Sequence, residues 1–123
     1  MATDLTVSLV NRPGTLLLAS DALARAGINI DGACGYVCES RGLFHVLVDE
    51  AERARRALLD AGFMIEDERS VVVVSIENRP GTAAAILRHV AEVGLNIDLL
   101  YTTADGRLVL GGDDVAAIRR ALV

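Results

Sequence analysis

The chain has no lysine and no tryptophan, and only two cysteines, two prolines, two phenylalanines and two tyrosines among its 123 residues. All 12 cations are therefore arginines, which excludes Schiff-base and pyridoxal-phosphate chemistry. Phe44, Phe63, Tyr36 and Tyr101 are too few to build a base-stacking platform. A net charge of −5 and a pI near 4.9 argue against a phosphate-backbone partner, whose affinity needs clustered cations. No nucleic-acid partner is expected. No apolar run approaches the length of a membrane span. The opening MATDLTVSLV carries Asp4 and no basic region ahead of an apolar stretch, so no secretory signal is read there. No membrane partner and a cytoplasmic location are the expectation.

The two thiols, Cys34 and Cys38, sit in CGYVC. On an extended strand that spacing spans about 13 Å, far beyond disulfide reach. No further Cys or His lies at ligand spacing, so they read as reduced thiols in a half-buried strand, with no metal site. No nucleophile–base pair is visible either. The expectation is a chain with no catalytic residues, no cofactor and no metal.

What is present is a duplication. NRPGT occurs at Asn11–Thr15 and again at Asn78–Thr82, an interval of 67 residues. Aligning residues 7–31 with residues 74–98 without a gap gives identity at 12 of 25 positions, including AGINID against VGLNID. A repeat of this period is one structural unit copied. Two domains follow, 1–69 and 70–123. Units so small bury marginal cores alone, so the halves are expected to pack tightly together.

The first copy reads as a strand over residues 5–10, then a helix from Pro13 to about Ala26, with Leu16, Ala19, Leu23 and Ala26 forming a buried stripe. Gly27 stands where a left-handed cap belongs. A strand over 28–40 follows, a turn at Arg41–Gly42, a strand over 43–48, a helix over 50–61 ending at Gly62, and a strand over 63–68. The order β-α-β-β-α-β is the split βαβ arrangement of ferredoxin-like α+β domains, with antiparallel sheets and helices on one face.

The second copy repeats it: strand 71–76, helix 80–93 with Ala83, Ile86, Val90 and Val93 buried, and strand 95–103. A turn at Asp105–Gly106, strand 107–110 and helix 113–122 with Asp113 or Asp114 as N-cap complete it. Nothing remains to match residues 63–68, so this copy is a βαββα unit lacking its last strand. In a 4-1-3-2 sheet that loss uncovers the first strand, VVVVSI at Val71–Ile76. An apolar open edge recruits a partner, and a homodimer or edge-to-edge complex is expected.

Asn11 and Asn29 flank the first helix at opposite ends, about 20 Å apart, so one unit cannot bring both to one ligand. Two units related by a twofold with antiparallel first helices can. That arrangement joins Asn11 and its loop to Asn96, and Asn78 and its loop to Asn29. Each Pro-Gly turn opens a helix, so amides at Gly14 and Thr15, and at Gly81 and Thr82, are expected to face outward as an anion site. Gly14 and Gly81 admit a ligand to the backbone. The asparagine amides suit an α-amino and α-carboxylate pair, and Asp31 and Asp98 an ammonium. The plain alternative is a strand-to-helix turn with capping asparagines.

The pattern N-R-P-G-T followed by G-[IL]-N-I, placed twice at a strand-to-helix turn, resembles the ACT domain, the small regulatory module of amino-acid metabolism. It is similar to the versions in phosphoglycerate dehydrogenase and in the small subunit of acetolactate synthase. The resemblance covers both copies and implies a tandem, allosteric, non-catalytic protein that binds small amino acids between paired units and regulates an enzyme of amino-acid metabolism. It implies ligand contacts at Asn11, Pro13, Gly14 and Thr15 with Asn96, Ile97 and Asp98, and at Asn78, Pro80, Gly81 and Thr82 with Asn29, Ile30 and Asp31. Where the serine-binding version has a histidine two residues before the loop asparagine, this chain has Leu9 and Ile76, which favours an apolar or differently shaped amino acid.

His45 alternates within a strand and His89 lies opposite a buried helical face, so both read as structural or exposed. Glu66-Asp67-Glu68 and the arginines Arg53, Arg55 and Arg56 read as solvated faces. The competing readings are an enzyme, and an assembly module without ligand that pairs through the Val71–Ile76 edge.

Overall fold

A computed structural model describes residues 2–122 of the chain. Met1 and Val123, the outer ends of the two expected domains, lie outside the described residues. The chain divides into two compact units, one formed by Thr3–Arg69 and the other running from Ser70 onward and including Ala2, which the sequence reading places in the first domain and whose carbonyl accepts from the Val71 amide at 3.1 Å.

The first unit is β1 (Thr3–Val10), α1 (Thr15–Arg25), β2 (Gly32–Cys38), β3 (Arg41–Val48), α2 (Ala51–Asp60) and β4 (Met64–Ser70). Its sheet has the order β2-β3-β1-β4, and β1 and β2 both pair antiparallel with β3. Strand alternation decides its two faces. Leu5 and Val7 stand opposite Val46 and Phe44 and form a core with Ala19 and Leu23 of α1 and Ala54 and Leu58 of α2. The other β1 residues, Asp4 and Thr6, lie on the helix-free face.

The second unit is β5 (Val72–Ser75), α3 (Thr82–Glu92), β6 (Leu99–Thr102), β7 (Arg107–Gly111) and α4 (Val115–Leu122). Its three-stranded sheet has the order β5-β7-β6, with β5 at an edge. Val72, Leu108, Leu110 and Ile118 form its core, flanked by Ile86, Leu95, Ile97 and Val115. Among the described residues no strand follows α4. Both units are thus antiparallel α+β ferredoxin-like folds.

Three helices end the same way. Gly27, Gly62 and Gly94 all take positive φ. The amide of each donates back into the last turn, and the next amide reaches one residue further: Ile28 to Leu23 at 2.9 Å, Phe63 to Leu58 at 3.0 Å, Leu95 to Val90 at 3.2 Å. This double bond is the Schellman motif that a glycine at this position permits. At the other end of α4 the Asp114 carboxylate accepts from the Ala117 amide at 3.0 Å, the expected N-cap.

Several boundaries depart from the sequence reading. The strand expected from residue 28 begins at Gly32, because residues 28–31 spend their hydrogen bonds on the helix end and on Leu47, whose carbonyl accepts from Asp31 at 3.0 Å. The corresponding strand of the second unit likewise starts at Leu99 rather than residue 95. The hairpin turn is at Glu39–Ser40, not Arg41–Gly42. Both turn residues have positive φ, 58° and 100°, as a two-residue type I′ connection requires. Gly42 lies within β3, where an added Cβ would sit 3.3 Å from the Leu9 Cβ.

Two residues assigned to buried helical stripes are exposed. Leu16 is 51% exposed at the start of α1, and Val93 is 52% exposed just past the end of α3. The charged stretch 66–68 is paired rather than merely solvated: Arg41 makes two bonds to Glu66, at 2.8 and 2.9 Å, and Arg55 one to Glu68 at 2.8 Å. Arg53 bonds Glu50 at 2.6 Å and the Ala26 carbonyl, fastening α2 to the end of α1.

Candidate functional site

The pentapeptide writes the same turn twice. In the first unit Arg12–Pro13–Gly14–Thr15 form a turn with proline second and glycine third, and Gly14 has φ 93° and ψ −11°. That glycine conformation is the one a type II turn demands. The Thr15 amide and hydroxyl both donate to the Arg12 carbonyl, at 3.5 and 3.1 Å. In the second unit Gly81 has φ 91° and ψ −11°, the Thr82 amide donates to the Arg79 carbonyl at 3.4 Å, and the Thr82 hydroxyl lies 2.7 Å from the Glu77 carbonyl and 3.1 Å from that of Arg79.

Three letters of the motif, proline, glycine and threonine, are therefore explained by backbone geometry; the arginine lends only its carbonyl, and its side chain and the asparagine are left over. The expectation that the Thr15 and Thr82 amides face outward is corrected, since both close the turn. Gly14, Leu16 and Leu17 in the first unit, and Gly81, Ala83 and Ala84 in the second, keep amides with no acceptor among the described residues, as helix starts do.

A cavity of about 400 Å³ lies against the first loop. Asn11, Arg12, Pro13, Gly14, Thr15 and Leu16 form one side, and Gly35, Tyr36 and Val37 of β2 with Gly42 and Leu43 of β3 form the other. The β2–β3 residues were missed by reasoning from the motif alone; the signal available was a pair of glycines, Gly35 and Gly42, inside the two strands of the hairpin. Arg12 is the one charged residue of the lining.

Tyr36 links this wall to a buried polar group. Its ring stacks on His45 with centroids 5.8 Å apart, and its hydroxyl lies 3.4 Å from His45 Nε2. On the far side His45 Nδ1 lies 2.9 Å from Asp4 Oδ2 and 3.2 Å from the Thr6 hydroxyl. The structural reading of His45 holds for this contact.

The remaining expected site residues lie at the opposite end of each first helix, as the 11 residues of α1 and of α3 dictate; each rises about 16 Å along its axis. Asn29 donates to the Asp31 carboxylate at 2.7 Å. The Asn96 side chain makes no hydrogen bond among the described residues. Ile30 and Ile97 pack against the two cores. The Asp31 and Asp98 amides donate to Leu47 and Gly111 at 3.0 and 2.9 Å, tying each Asn-Ile-Asp segment to its sheet. Among the described residues no three His, Cys, Asp or Glu side chains cluster as metal ligands, and both cysteines are free.

The family model for the ACT domain pair matches residues 1–122. The chain belongs to the ACT domain pair family. No curated protein matches it. The ACT pair is similar over 98% of its length to a protein of Bacteroides thetaiotaomicron, with 25% identity, a TM-score of 0.87 and 85% of that chain covered. It is similar to the regulatory subunit of aspartate kinase from Thermus thermophilus, with 25% identity, a TM-score of 0.71, and 98% and 88% of the two chains covered. The regulatory subunit from Thermus flavus shares the fold at 23% identity and a TM-score of 0.70, with 98% and 89% covered. ACT pairs of this kind are regulatory modules, and no helix among the described residues is long and apolar enough to cross a membrane.

Proposed function

We propose that this chain is a non-catalytic regulatory protein that binds small amino acids at the interface between paired ACT units and controls an enzyme of amino-acid metabolism. The observation that carries the reading is the NRPGT turn beside a cavity of about 400 Å³ in the first unit, within the size range of small-molecule sites. The loop supplies amides of a helix start, whose dipole favours a carboxylate, together with the Asn11 amide. The pairing we favour is Asn11 with Asn96 and Asn78 with Asn29, each site drawing on both copies. Ligand binding then biases how the units pack, which is the two-state element allostery needs.

The likeness to the aspartate kinase regulatory subunit of Thermus thermophilus supports a regulatory role beside a separate enzyme. Leu9 and Ile76 argue for an apolar rather than a serine-like ligand. We test the reading by thermal unfolding against each of the twenty amino acids. A ligand that binds the folded chain alone raises its stability by RT ln(1 + [L]/Kd), about 2.7 kcal/mol at a hundredfold excess over Kd. A melting temperature unmoved by all twenty at millimolar concentration refutes it.

A second reading has its own observation. β5 lies at the edge of its sheet and carries Val72, Val73 and Val74, so pairing through residues 71–76 makes a homodimer or an assembly module without ligand. Light scattering that returns the monomer mass refutes the pairing.

A further inference from the structure

The two copies share the turn and differ in what surrounds it. The sheets give the correspondence directly. Tyr36 stands opposite Leu43 in the β2–β3 ladder, and the equivalent pair in the second unit is Thr103 and Arg107, whose backbones bond at 2.9 Å. Beyond that point the first hairpin continues through Val37↔Gly42 and Cys38↔Arg41, whereas the second turns at once through Asp105 and Gly106. The longer hairpin is what provides the first loop with a facing wall.

The wall chemistry changes with it. Val10 corresponds to Glu77 and Leu16 to Ala83, and the Val37↔Gly42 pair that lines the first cavity has no counterpart in the second hairpin, so apolar bulk is lost or replaced by charge. The loop cation changes state as well. Arg79 is paired with Glu77 at 2.7 Å, while Arg12 has no ion-pair partner among the described residues and is the single charge lining the first cavity. The distal asparagines follow the same asymmetry, since Asn29 is held by Asp31 and the Asn96 side chain has no hydrogen bond among the described residues.

We propose that only the first NRPGT loop is a ligand site, taking one carboxylate ligand with an apolar side chain per chain, an amino acid of the leucine or phenylalanine type. Arg12 holds the carboxylate by a charge-assisted bond, and Leu16 and Val37, which line the cavity from the helix-bearing side of the sheet, hold the side chain. The second loop keeps the turn for structure alone. This rests on the regulatory reading above and sharpens it from two sites to one.

Calorimetry on the whole chain tests it, with leucine, phenylalanine, serine and leucinamide as probes. Leucine or phenylalanine is expected to bind once per chain, and leucinamide, which lacks the carboxylate, not to bind. Val10→Glu installs the second copy's acid beside Arg12 at a position 60% exposed, so the fold is spared; it is expected to weaken binding on the order of tenfold or more. Arg79→Gln is expected to leave the affinity within about twofold. Two ligands per chain, or an equal loss from Arg79→Gln, overturns the single site while leaving amino-acid binding intact. A preference for serine overturns the apolar class. Failure of all twenty amino acids to bind overturns the inference together with the reading it rests on.

Discussion

Asp4 and His45 meet at 2.9 Å on the helix-free face of the first sheet, with both side chains buried. Thr6 bonds both of them, at 3.4 Å to the carboxylate and 3.2 Å to the ring. A satisfied buried polar group contributes modestly, whereas removing one member of the cluster leaves the others buried with fewer hydrogen bonds than they had. Asp4→Ala is therefore expected to destabilise the chain by roughly 2–4 kcal/mol, and His45→Ala by a comparable amount. The double variant is expected to lose less than the sum, because each deletion already exposes the same defect. Urea unfolding of the three variants measures it, and additive losses would show that the two side chains act independently.

The Glu39–Ser40 turn stores strain that one substitution relieves. Ser40 has φ 100° without being glycine, and non-glycine residues pay for that region of the backbone. Ser40→Gly fits the conformation and is expected to stabilise the protein by about 0.5–1 kcal/mol. An unchanged or lowered urea midpoint would contradict this.

That turn marks where sequence reasoning stops. The repeat, the order of elements, the three glycine-capped helix ends and the Asp114 cap all follow from local chemistry that the letters display. The Glu39–Ser40 turn does not, because neither residue carries the glycine or asparagine signal, while Gly42 nearby does carry it for another reason, its closeness to Leu9. Leu16 was assigned to the core by its spacing, yet it stands over a cavity whose far wall comes from a hairpin distant in sequence. The Tyr36–His45–Asp4 chain is equally non-local, joining three strands. Periodicity reports the face of an element and is silent about which other element covers that face.

Arg41 holds the Glu66 carboxyl below its usual range, chiefly by the side-chain hydrogen bond and then by its charge. A carboxylate depressed in the folded state stabilises at pH above its unfolded value of 4.5, and the contribution disappears as pH falls through the lower folded value. Glu66→Gln is thus expected to melt below the parent chain at pH 7 and alongside it at about pH 2–3. Both side chains are solvent-facing, so added salt also narrows the gap. A gap that persists unchanged into acid would show that Glu66 contributes by packing instead of by charge.

Gly112 sets the position of Asn96. A Cβ built on Gly112 runs into the Asn96 carbonyl and lies 2.8 Å from Ile118 Cδ1. The contact is with backbone, which cannot rotate aside as a side chain does. Ile118 is fully buried in the second core, so it has no room to yield. Gly112→Ala is expected to cost about 1–3 kcal/mol by overpacking, a different cause from Gly81→Ala, where nothing lies near the new methyl but φ is 91° and the left-handed conformation costs about 1–2 kcal/mol. The two are separable. Asparagine tolerates the left-handed region, so Gly81→Asn recovers much of the loss at 81, while Gly112→Asn worsens it at 112. If Asn96 completes the ligand site of the first loop, Gly112→Ala also weakens amino-acid binding in chains that remain folded, whereas Gly81→Ala leaves it unchanged. Melting curves with and without the bound amino acid give both quantities from one set of samples, and equal ligand-induced shifts in the two variants would separate Asn96 from the site.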